Sequence, residues 1–283
     1  MDNGVKRATF AGKSKIFKPS TTIMPLFQLN IYEIFASGLI GAVLGSFYAC
    51  AVFRYIYGKS LTNPPRSTCP QCGHKISWYE NIPLLSYLLL RGKCSACHNK
   101  ISIMYPVIEL TSVMWAVLLM IIFGPGPQWL VYMFFGGLMI VASFIDLKTF
   151  ILPDVITIPG SIAAIPCAAL FTPVGWEGAL LGAGIGGGLF WSLRLLYRGL
   201  KGTEGLGLGD VKIMFMIGAL AGPQNLPLVI TISAFTGLCA GLTMMVIDKE
   251  QKYGSMIPFG PFLAFGSMLS ILYAEPFWNW YLV

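Results

Sequence analysis

Charged side chains are scarce in this sequence. Asp, Glu, Lys and Arg make up 11% of its 283 residues, whereas 55% of the residues are hydrophobic. Soluble globular domains average about 25% charged residues. A soluble core of this size could not bury so much apolar surface, so we expect lipid to be the solvent for much of the chain. The first apolar run starts near residue 25 and continues well past the length of a signal-peptide core, so we expect no cleavable signal.

Histidine is almost absent. The two histidines, His74 and His98, both lie beside cysteine pairs in one loop. No Ser–His or Cys–His pair can therefore be placed in the apolar segments, which excludes the common serine and cysteine nucleophile mechanisms. The net charge of +7 could indicate nucleic-acid binding. Lys and Arg also collect in the cytoplasmic loops of membrane proteins, so we expect a bilayer and no nucleic acid as the partner.

Long apolar runs occupy most of the chain. A spanning helix needs about 20 apolar residues. Eight candidate spans lie near residues 31–53, 104–123, 128–146, 155–172, 178–197, 209–222, 227–247 and 256–274. The predicted fold is therefore an all-α polytopic membrane protein with about eight transmembrane helices. The sixth span is short and bounded by Gly, which is typical of a segment that lines a cavity.

The basic residues predict the orientation. The loop 54–103 contains one acidic residue, Glu80, and seven basic ones: Arg54, Lys59, Arg66, Lys75, Arg91, Lys93 and Lys100. This excess places the loop in the cytoplasm. The later connections alternate as expected. Those counted as cytoplasmic, near 148–154, 198–208 and 248–254, contain Lys148, Arg194, Arg198, Lys201, Lys249 and Lys252. Those on the opposite side, near 124–127, 173–177 and 223–226, contain no Lys or Arg.

The basic N-terminal tail, residues 1–30, disagrees with this topology because eight spans place it outside. Either the tail is translocated despite its charge, or it lies on the membrane surface. A Gly-rich stretch at residues 182–188 has no preceding strand, so the spacing of close helix packing explains it better than a dinucleotide loop.

Four of the seven cysteines form two C-x-x-C pairs in the cytoplasmic loop. They are Cys69, Cys72, Cys94 and Cys97, with 21 residues between the pairs. This spacing predicts a structural Zn²⁺ site with four thiolate ligands, which would fold a loop too short to build its own core. Disulfides are the alternative, but a reducing compartment disfavours them. His74 and His98 are alternative ligands or, more simply, surface residues.

Two aspartates lie at predicted cytoplasmic ends of spans. Asp146 ends the third span and Asp210 opens the sixth, in Gly207-Leu-Gly-Asp210. Carboxylates at membrane depth cost about 2.5–3.5 kcal/mol each on insertion scales, so a functional role is the default hypothesis for each one. Two adjacent carboxyls can share one proton, and the ionised one can then act as a base toward water. The alternatives are ordinary helix-end charges, or a proton relay in a transporter with a zinc loop.

The sequence does not decide the roles of two further acidic residues. Asp154 follows Pro153 and is typical of a helix-start residue, and Glu109 lies inside the second span. Glu109 either lines a site or pairs with Arg54.

Several motifs follow one another between residues 36 and 270. They are Gly45-Ser-Phe47 with Arg54, Arg66-Ser-Thr-Cys-Pro-Gln-Cys72, Trp78-Tyr-Glu-Asn-Ile-Pro83, Arg91-Gly-Lys-Cys94, Tyr105-Pro-Val-Ile-Glu109, Asp146 with Leu152-Pro-Asp154, Gly207-Leu-Gly-Asp-Val-Lys212 and Ile257-Pro-Phe-Gly-Pro261. In these motifs the chain resembles the bacterial prepilin peptidases, the leader peptidases and N-methyltransferases of type IV pili and type II secretion.

This resemblance implies a G-x-G-D aspartyl endopeptidase of the bacterial cytoplasmic (inner) membrane, with its active site at the cytoplasmic face. It implies that Asp146 and Asp210 are catalytic and that Asp154 is a supporting residue. The implied substrates are type IV prepilins or pseudopilins, cut after the glycine that ends the leader. The implied second activity is methylation of the new N-terminus from S-adenosylmethionine, which the family associates with the cysteine loop.

Two positions depart from the family pattern. Ala49 stands where Asn is frequent, and Met104 stands where Arg is frequent. The alternative that the chain is a peptidase without methyltransferase activity is therefore kept. The predicted division has an N-terminal tail (1–30), two spans with the zinc loop (31–127), a six-span peptidase domain (128–276) and a C-terminal tail (277–283).

Overall fold

The computed structural model of the chain describes residues 30–62, 67–202, 205–247 and 257–281. The predicted N-terminal tail up to residue 29, Arg66 and the connection near 248–254 lie outside these ranges.

The described residues are helical, with two isolated β-bridges in the cysteine loop and no strand. The helices are α1 (Ile31–Ile56), α2 (Leu85–Leu89), α3 (Met104–Phe123), α4 (Pro127–Thr149), α5 (Asp154–Phe171), α6 (Gly175–Lys201), α7 (Leu208–Ala221), α8 (Leu226–Ile247) and α9 (Gly260–Tyr281). A single 3₁₀ turn, Trp78–Asn81, precedes α2. The all-α prediction is confirmed.

Within the described ranges, six helices are long and apolar enough to cross a membrane: α1, α3, α4, α5, α6 and α8. The helix α7 has 14 residues and is the short sixth span that the sequence predicts. The helix α9 has 22 residues and continues to Tyr281, past the predicted start of a tail at residue 277. The indole N–H of Trp278 donates to Asn225 Oδ1 at 3.0 Å, which holds this end of α9 against the chain just before α8.

The helix α4 lies at the centre, packed against α1, α3, α5 and α9. It is the most buried of the six, with 72% of its apolar window inside the molecule. The short α7 packs against α5, α6 and α9. Where α6 and α7 meet, a Cβ added to Gly182 would overlap the carbonyl oxygen of Gly218. Glycine therefore allows the two backbones to touch, and the predicted close helix packing is confirmed.

Candidate active site and metal centre

Asp146 lies in the last turns of α4 and is only 4% exposed. Phe150 ends the helix in a left-handed conformation (φ 57°), and its N–H donates to the Asp146 carbonyl at 2.8 Å. The Asp146 carboxylate accepts from the N–H of Gly260 at 3.0 Å. Gly260 is the first residue of α9, and the positive end of a helix dipole favours a carboxylate there.

Asp210 lies in the first turn of α7. The N–H of Gly207, the residue that caps this helix, donates to the Asp210 carboxylate. An acidic residue that reaches back to the cap in this way satisfies a backbone donor that has no partner within the helix. The sequence Gly207-Leu-Gly-Asp210 therefore fixes the direction of its own carboxylate.

Leu152 connects the two aspartates. A Cβ added to Gly209 would lie 2.7 Å from Leu152 Cβ, and one added to Gly260 would lie 2.9 Å from Leu152 Cδ2. The end of α4 and the starts of α7 and α9 therefore meet around this buried leucine. Asp146 lies close enough to Asp210 for the two charges to interact. Two carboxyls whose charges interact resist ionising together, which is the electrostatic relation between the two acids of aspartyl enzymes.

Asp154 lies apart from this pair. Its Oδ1 accepts from Lys212 Nζ at 2.6 Å, and its side chain is 63% exposed. The hydroxyl of Ser161, also on α5, donates to the Lys212 carbonyl at 2.8 Å. Both contacts join α5 to α7, so Asp154 supports the helix that carries Asp210.

Arg194 is buried, although the sequence indicates an exposed basic residue. The sequence counts it among the basic residues of a cytoplasmic connection, but in α6 it is only 7% exposed. Its Nη1 donates to the Leu206 carbonyl at 2.8 Å. One turn later Tyr197 lies against Gly205, where an added Cβ would overlap the ring. The helix α6 thus holds the segment that leads to Asp210. In the sequence, the spacing that puts Arg194 and Tyr197 on one helical face is the feature that indicates this contact.

The four cysteines of the loop converge. The Sγ atoms of Cys69, Cys72, Cys94 and Cys97 all lie within 4.8 Å of one another. The Sγ atoms of Cys69 and Cys97 are 3.9 Å apart. Tetrahedral zinc with Zn–S bonds near 2.3 Å needs sulfurs roughly 3.8 Å apart, so the four thiols fit one ion.

The two cysteine pairs have the same backbone construction. The Cys69 N–H donates to the His74 carbonyl, and the Cys94 N–H donates to the Asn99 carbonyl, each at 2.9 Å. The turn after each pair has a positive φ, 71° at Gly73 and 57° at His98. The second turn therefore uses a histidine in a conformation that favours glycine, which accounts for His98 as a turn residue.

Backbone N–H groups point at the sulfurs. Those of Cys72 and Gln71 lower the pKa of the Cys69 thiol to about 7. Those of Cys97 and Ala96 lower the pKa of Cys94. Both shifts favour the thiolate, which is the form that binds a metal.

Glu80 joins the two cysteine pairs. Its carboxylate accepts from the Ser77 N–H at 2.7 Å and lies 3.2 Å from His74 Nε2, beside the first pair. It also bonds the side chain of Ser95, which lies inside the second pair. The bonds from Ser95 and from the Ser77 N–H lower the pKa of Glu80 to about 2. His74 thus lies against a carboxylate next to the cysteine cluster.

Two regions of the chain match known domains. Residues 39–123 match the bacterial peptidase A24 N-terminal domain. Residues 133–242 match the type IV leader peptidase family. A relative from Aeromonas hydrophila, named prepilin leader peptidase/N-methyltransferase, is 36% identical over 218 residues, which cover 77% of this chain and 75% of the relative. The chain belongs to the type IV leader peptidase family.

Other relatives carry the same name. One from Pseudomonas putida is 31% identical over 265 residues, 86% of this chain and 92% of the relative. One from Pseudomonas aeruginosa is 37% identical over 222 residues, 77% of this chain and 75% of the relative. No solved structure matches the chain. As a member of this family the chain is a membrane peptidase, and the peptidase-family match includes both Asp146 and Asp210.

The region that matches the N-terminal domain also contains a group of contacts that the sequence does not predict. The carboxylate of Glu109 on α3, 7% exposed, accepts from the Leu84 N–H at 2.7 Å and bonds the Ser46 side chain on α1. Arg54 donates instead to the carbonyls of Ser60 and Leu61, at 3.0 and 2.6 Å. Glu109 therefore bonds the Gly45-Ser-Phe47 motif and the residue that follows Trp78–Pro83, and it attaches the cysteine loop to α1 and α3.

Proposed function

We propose that this chain is an aspartyl endopeptidase of the bacterial inner membrane that removes the leader of type IV prepilins or pseudopilins after a glycine. The observation that carries the proposal is the meeting of Asp146 and Asp210 around Leu152. The relatives' name, prepilin leader peptidase, supports this substrate class. The family assignment favours a peptidase over the proton-coupled transporter that the two acids alone left open.

In the proposed mechanism the pair shares one proton. The ionised carboxylate removes a proton from water, and the protonated carboxyl polarises the scissile carbonyl. The pair titrates as a unit, so neither role belongs permanently to one residue. The Gly260 N–H holds Asp146, and the Gly207 N–H holds Asp210. A Cβ added to Gly207 would lie 3.1 Å from Asp210 Oδ2, so glycine keeps this side of the carboxylate open to an extended peptide.

The test is cleavage of a prepilin in membranes by single Asn variants. We expect Asp146→Asn and Asp210→Asn each to lower cleavage by roughly 10³-fold or more, because the carboxylate that takes the proton from water is removed. Asp154→Asn is the matched control. Its partly exposed ion pair with Lys212 is worth about 0–1 kcal/mol, so we expect cleavage to fall by no more than about tenfold. Normal processing by either of the first two variants, inserted at wild-type levels, would contradict the proposal.

We further propose that the chain methylates the new N-terminus of the cleaved pilin, with S-adenosylmethionine as methyl donor. The name N-methyltransferase of the relatives and the match at residues 39–123 support this. Purified enzyme should transfer labelled methyl groups to cleaved pilin in about one-to-one ratio with cleavage. Cleavage without transfer would assign this chain, with Ala49 and Met104, to peptidases that lack the second activity.

The cysteine cluster is proposed as a structural Zn²⁺ site with Cys69, Cys72, Cys94 and Cys97 as ligands. Zinc there would supply the folding energy of a loop that has few buried side chains. We also propose that this loop and the aspartates face the cytoplasm, as the basic residues of 54–103 predict. The proposed domain boundary falls between α3 and α4, so that residues 31–127 carry the loop and 128–276 carry the peptidase.

A further inference from the structure

The cysteine loop exposes a set of large apolar side chains. Exposed fractions are 81% for Trp78, 58% for Tyr79, 49% for Leu85, 71% for Leu88 and 73% for Leu89. We call these five residues the apolar loop patch. They lie within twelve residues of the chain, on the 3₁₀ turn and on α2. A concentrated apolar surface of this kind marks a contact with something other than water.

The position of α2 relative to the membrane follows from Glu109. Glu109 is the sixth residue of α3, so its Cα lies about 7–8 Å along the helix axis from the first residue. The helix α3 is one of the six that can span the membrane. Leu84, directly before α2, donates its N–H to the Glu109 carboxylate at 2.7 Å. The start of α2 therefore lies beside the first turns of a helix that can span the membrane.

This attachment is rigid. Leu84 has a φ of 61°, which residues with a side chain seldom adopt. A conformation of this kind persists only where the surroundings fix it. Here the Glu109 bond fixes Leu84, and the Ser86 N–H donates to the Ile82 carbonyl at 3.0 Å to begin α2. The apolar loop patch is thus held beside the first turns of α3.

The charged residues around the apolar loop patch also favour contact with lipid headgroups. Arg91 and Lys93 directly follow α2, and Lys75 and Lys100 flank the cysteine pairs; all four are exposed. The acid of this region, Glu80, is already bonded to Ser77, Ser95 and His74. Basic residues beside an apolar helix attract anionic lipid headgroups, and Trp and Tyr favour the interface between headgroups and acyl chains.

We propose that the apolar loop patch inserts into the headgroup region of the bilayer that the chain spans, with α2 lying as a short interfacial helix. The insertion anchors the loop at the membrane surface, beside the helices α1 and α3, through the apolar loop patch and not through the cysteine pairs. The occupant of the patch is lipid, because Glu109 holds the start of α2 beside the first turns of α3, and α3 exposes Leu110 and Met114 on the face that meets the bilayer. This inference concerns a lipid contact and does not depend on the proposed catalytic residues.

The test is photo-crosslinking in the full-length protein. The photoreactive residue p-benzoylphenylalanine replaces Leu88 or Leu89, and the protein is placed in nanodiscs of phosphatidylethanolamine and phosphatidylglycerol. Leu181, 57% exposed on the spanning helix α6, is the lipid-facing control. Gln71, exposed between Cys69 and Cys72, is the water-facing control. We expect lipid adducts by mass spectrometry at positions 88, 89 and 181 and none at 71.

Two outcomes would overturn the proposal. Positions 88 and 89 could behave like position 71, which would place the patch in water. They could instead crosslink an added prepilin and give no lipid adduct, which would make the patch a substrate surface.

Hydrogen exchange of the unmodified chain in the same nanodiscs provides a check that needs no substitution. A five-residue helix in water protects its amides little. We expect the amides of residues 85–90 to exchange at least about 100-fold more slowly than unstructured amides, because lipid covers them. Exchange within about tenfold of unstructured amides would count against insertion.

Discussion

Arg194 is a buried charged residue that bonds the backbone four positions before Asp210, a catalytic candidate. Its guanidinium donates to the Leu206 carbonyl, and Leu206 lies in the segment that ends in Asp210. Removal of the guanidinium leaves a carbonyl without this donor and frees the segment to move. We therefore propose that Arg194 positions Asp210 through the backbone.

Substitution at this position gives the first residue-scale prediction. We expect Arg194→Gln to lower kcat for prepilin cleavage by about tenfold to 100-fold, with a smaller change in KM, because a shift of the carboxylate affects the reacting geometry most. Arg194→Lys should recover part of the loss. Arg198→Gln, exposed one turn further along α6, is the control and should stay within about twofold. Equal losses in the two Gln variants would show that Arg194 does not position Asp210.

At the scale of elements, the site depends on how closely helix ends approach one another. Gly260 starts α9 directly against the carboxylate at the end of α4. A Cβ added there would lie 2.7 Å from Asp146 Oδ2, with Leu152 Cδ2 at 2.9 Å on the other side. Neither neighbour has space to withdraw, since Asp146 and Leu152 are both buried.

We therefore expect Gly260→Ala to lower cleavage by about 100-fold, because α9 and Asp146 must separate. Gly184→Ala on α6 is the matched control, since an added Cβ at that position meets nothing within 4 Å. It should leave cleavage unchanged and should stabilise the helix by about 0.5–1 kcal/mol. Cleavage assays and thermal unfolding of both variants separate the two effects. Full activity of Gly260→Ala would mean that the α4–α9 contact is not needed.

At the scale of the whole molecule, α1 and α3 are joined by a loop in which four cysteines converge. We expect purified protein to contain about one zinc ion per chain. Cys72→Ser and Cys94→Ser should retain less than about a tenth of it, because three thiolates bind far more weakly than four. The loop 67–102 should then become sensitive to added protease. Cys239→Ser, exposed on α8, is the control and should keep both zinc and resistance. Elemental analysis that finds no zinc in the wild-type protein would contradict the site.

The sequence by itself determined the features that depend on local pattern. Scarce charge and long apolar runs are enough for an all-α membrane fold, because a spanning segment must be helical and apolar along its whole length. The C-x-x-C spacing is enough for two turns that each present two sulfurs. The glycines at 182 and 186 predicted a close helix contact, because a small residue at every fourth position clears one face of a helix.

Only the tertiary structure decided which distant groups meet. Asp146 bonds Gly260, Arg194 bonds Leu206 and Glu109 bonds Leu84, and these partners come from different helices or loops. No local pattern specifies such pairs, because they depend on the angles and depths at which separate helices pack. The same reason explains Arg194, which the sequence assigned to a basic connection and the packing of α6 buried. The two aspartates were visible as costly charges, but their contact around Leu152 required the fold.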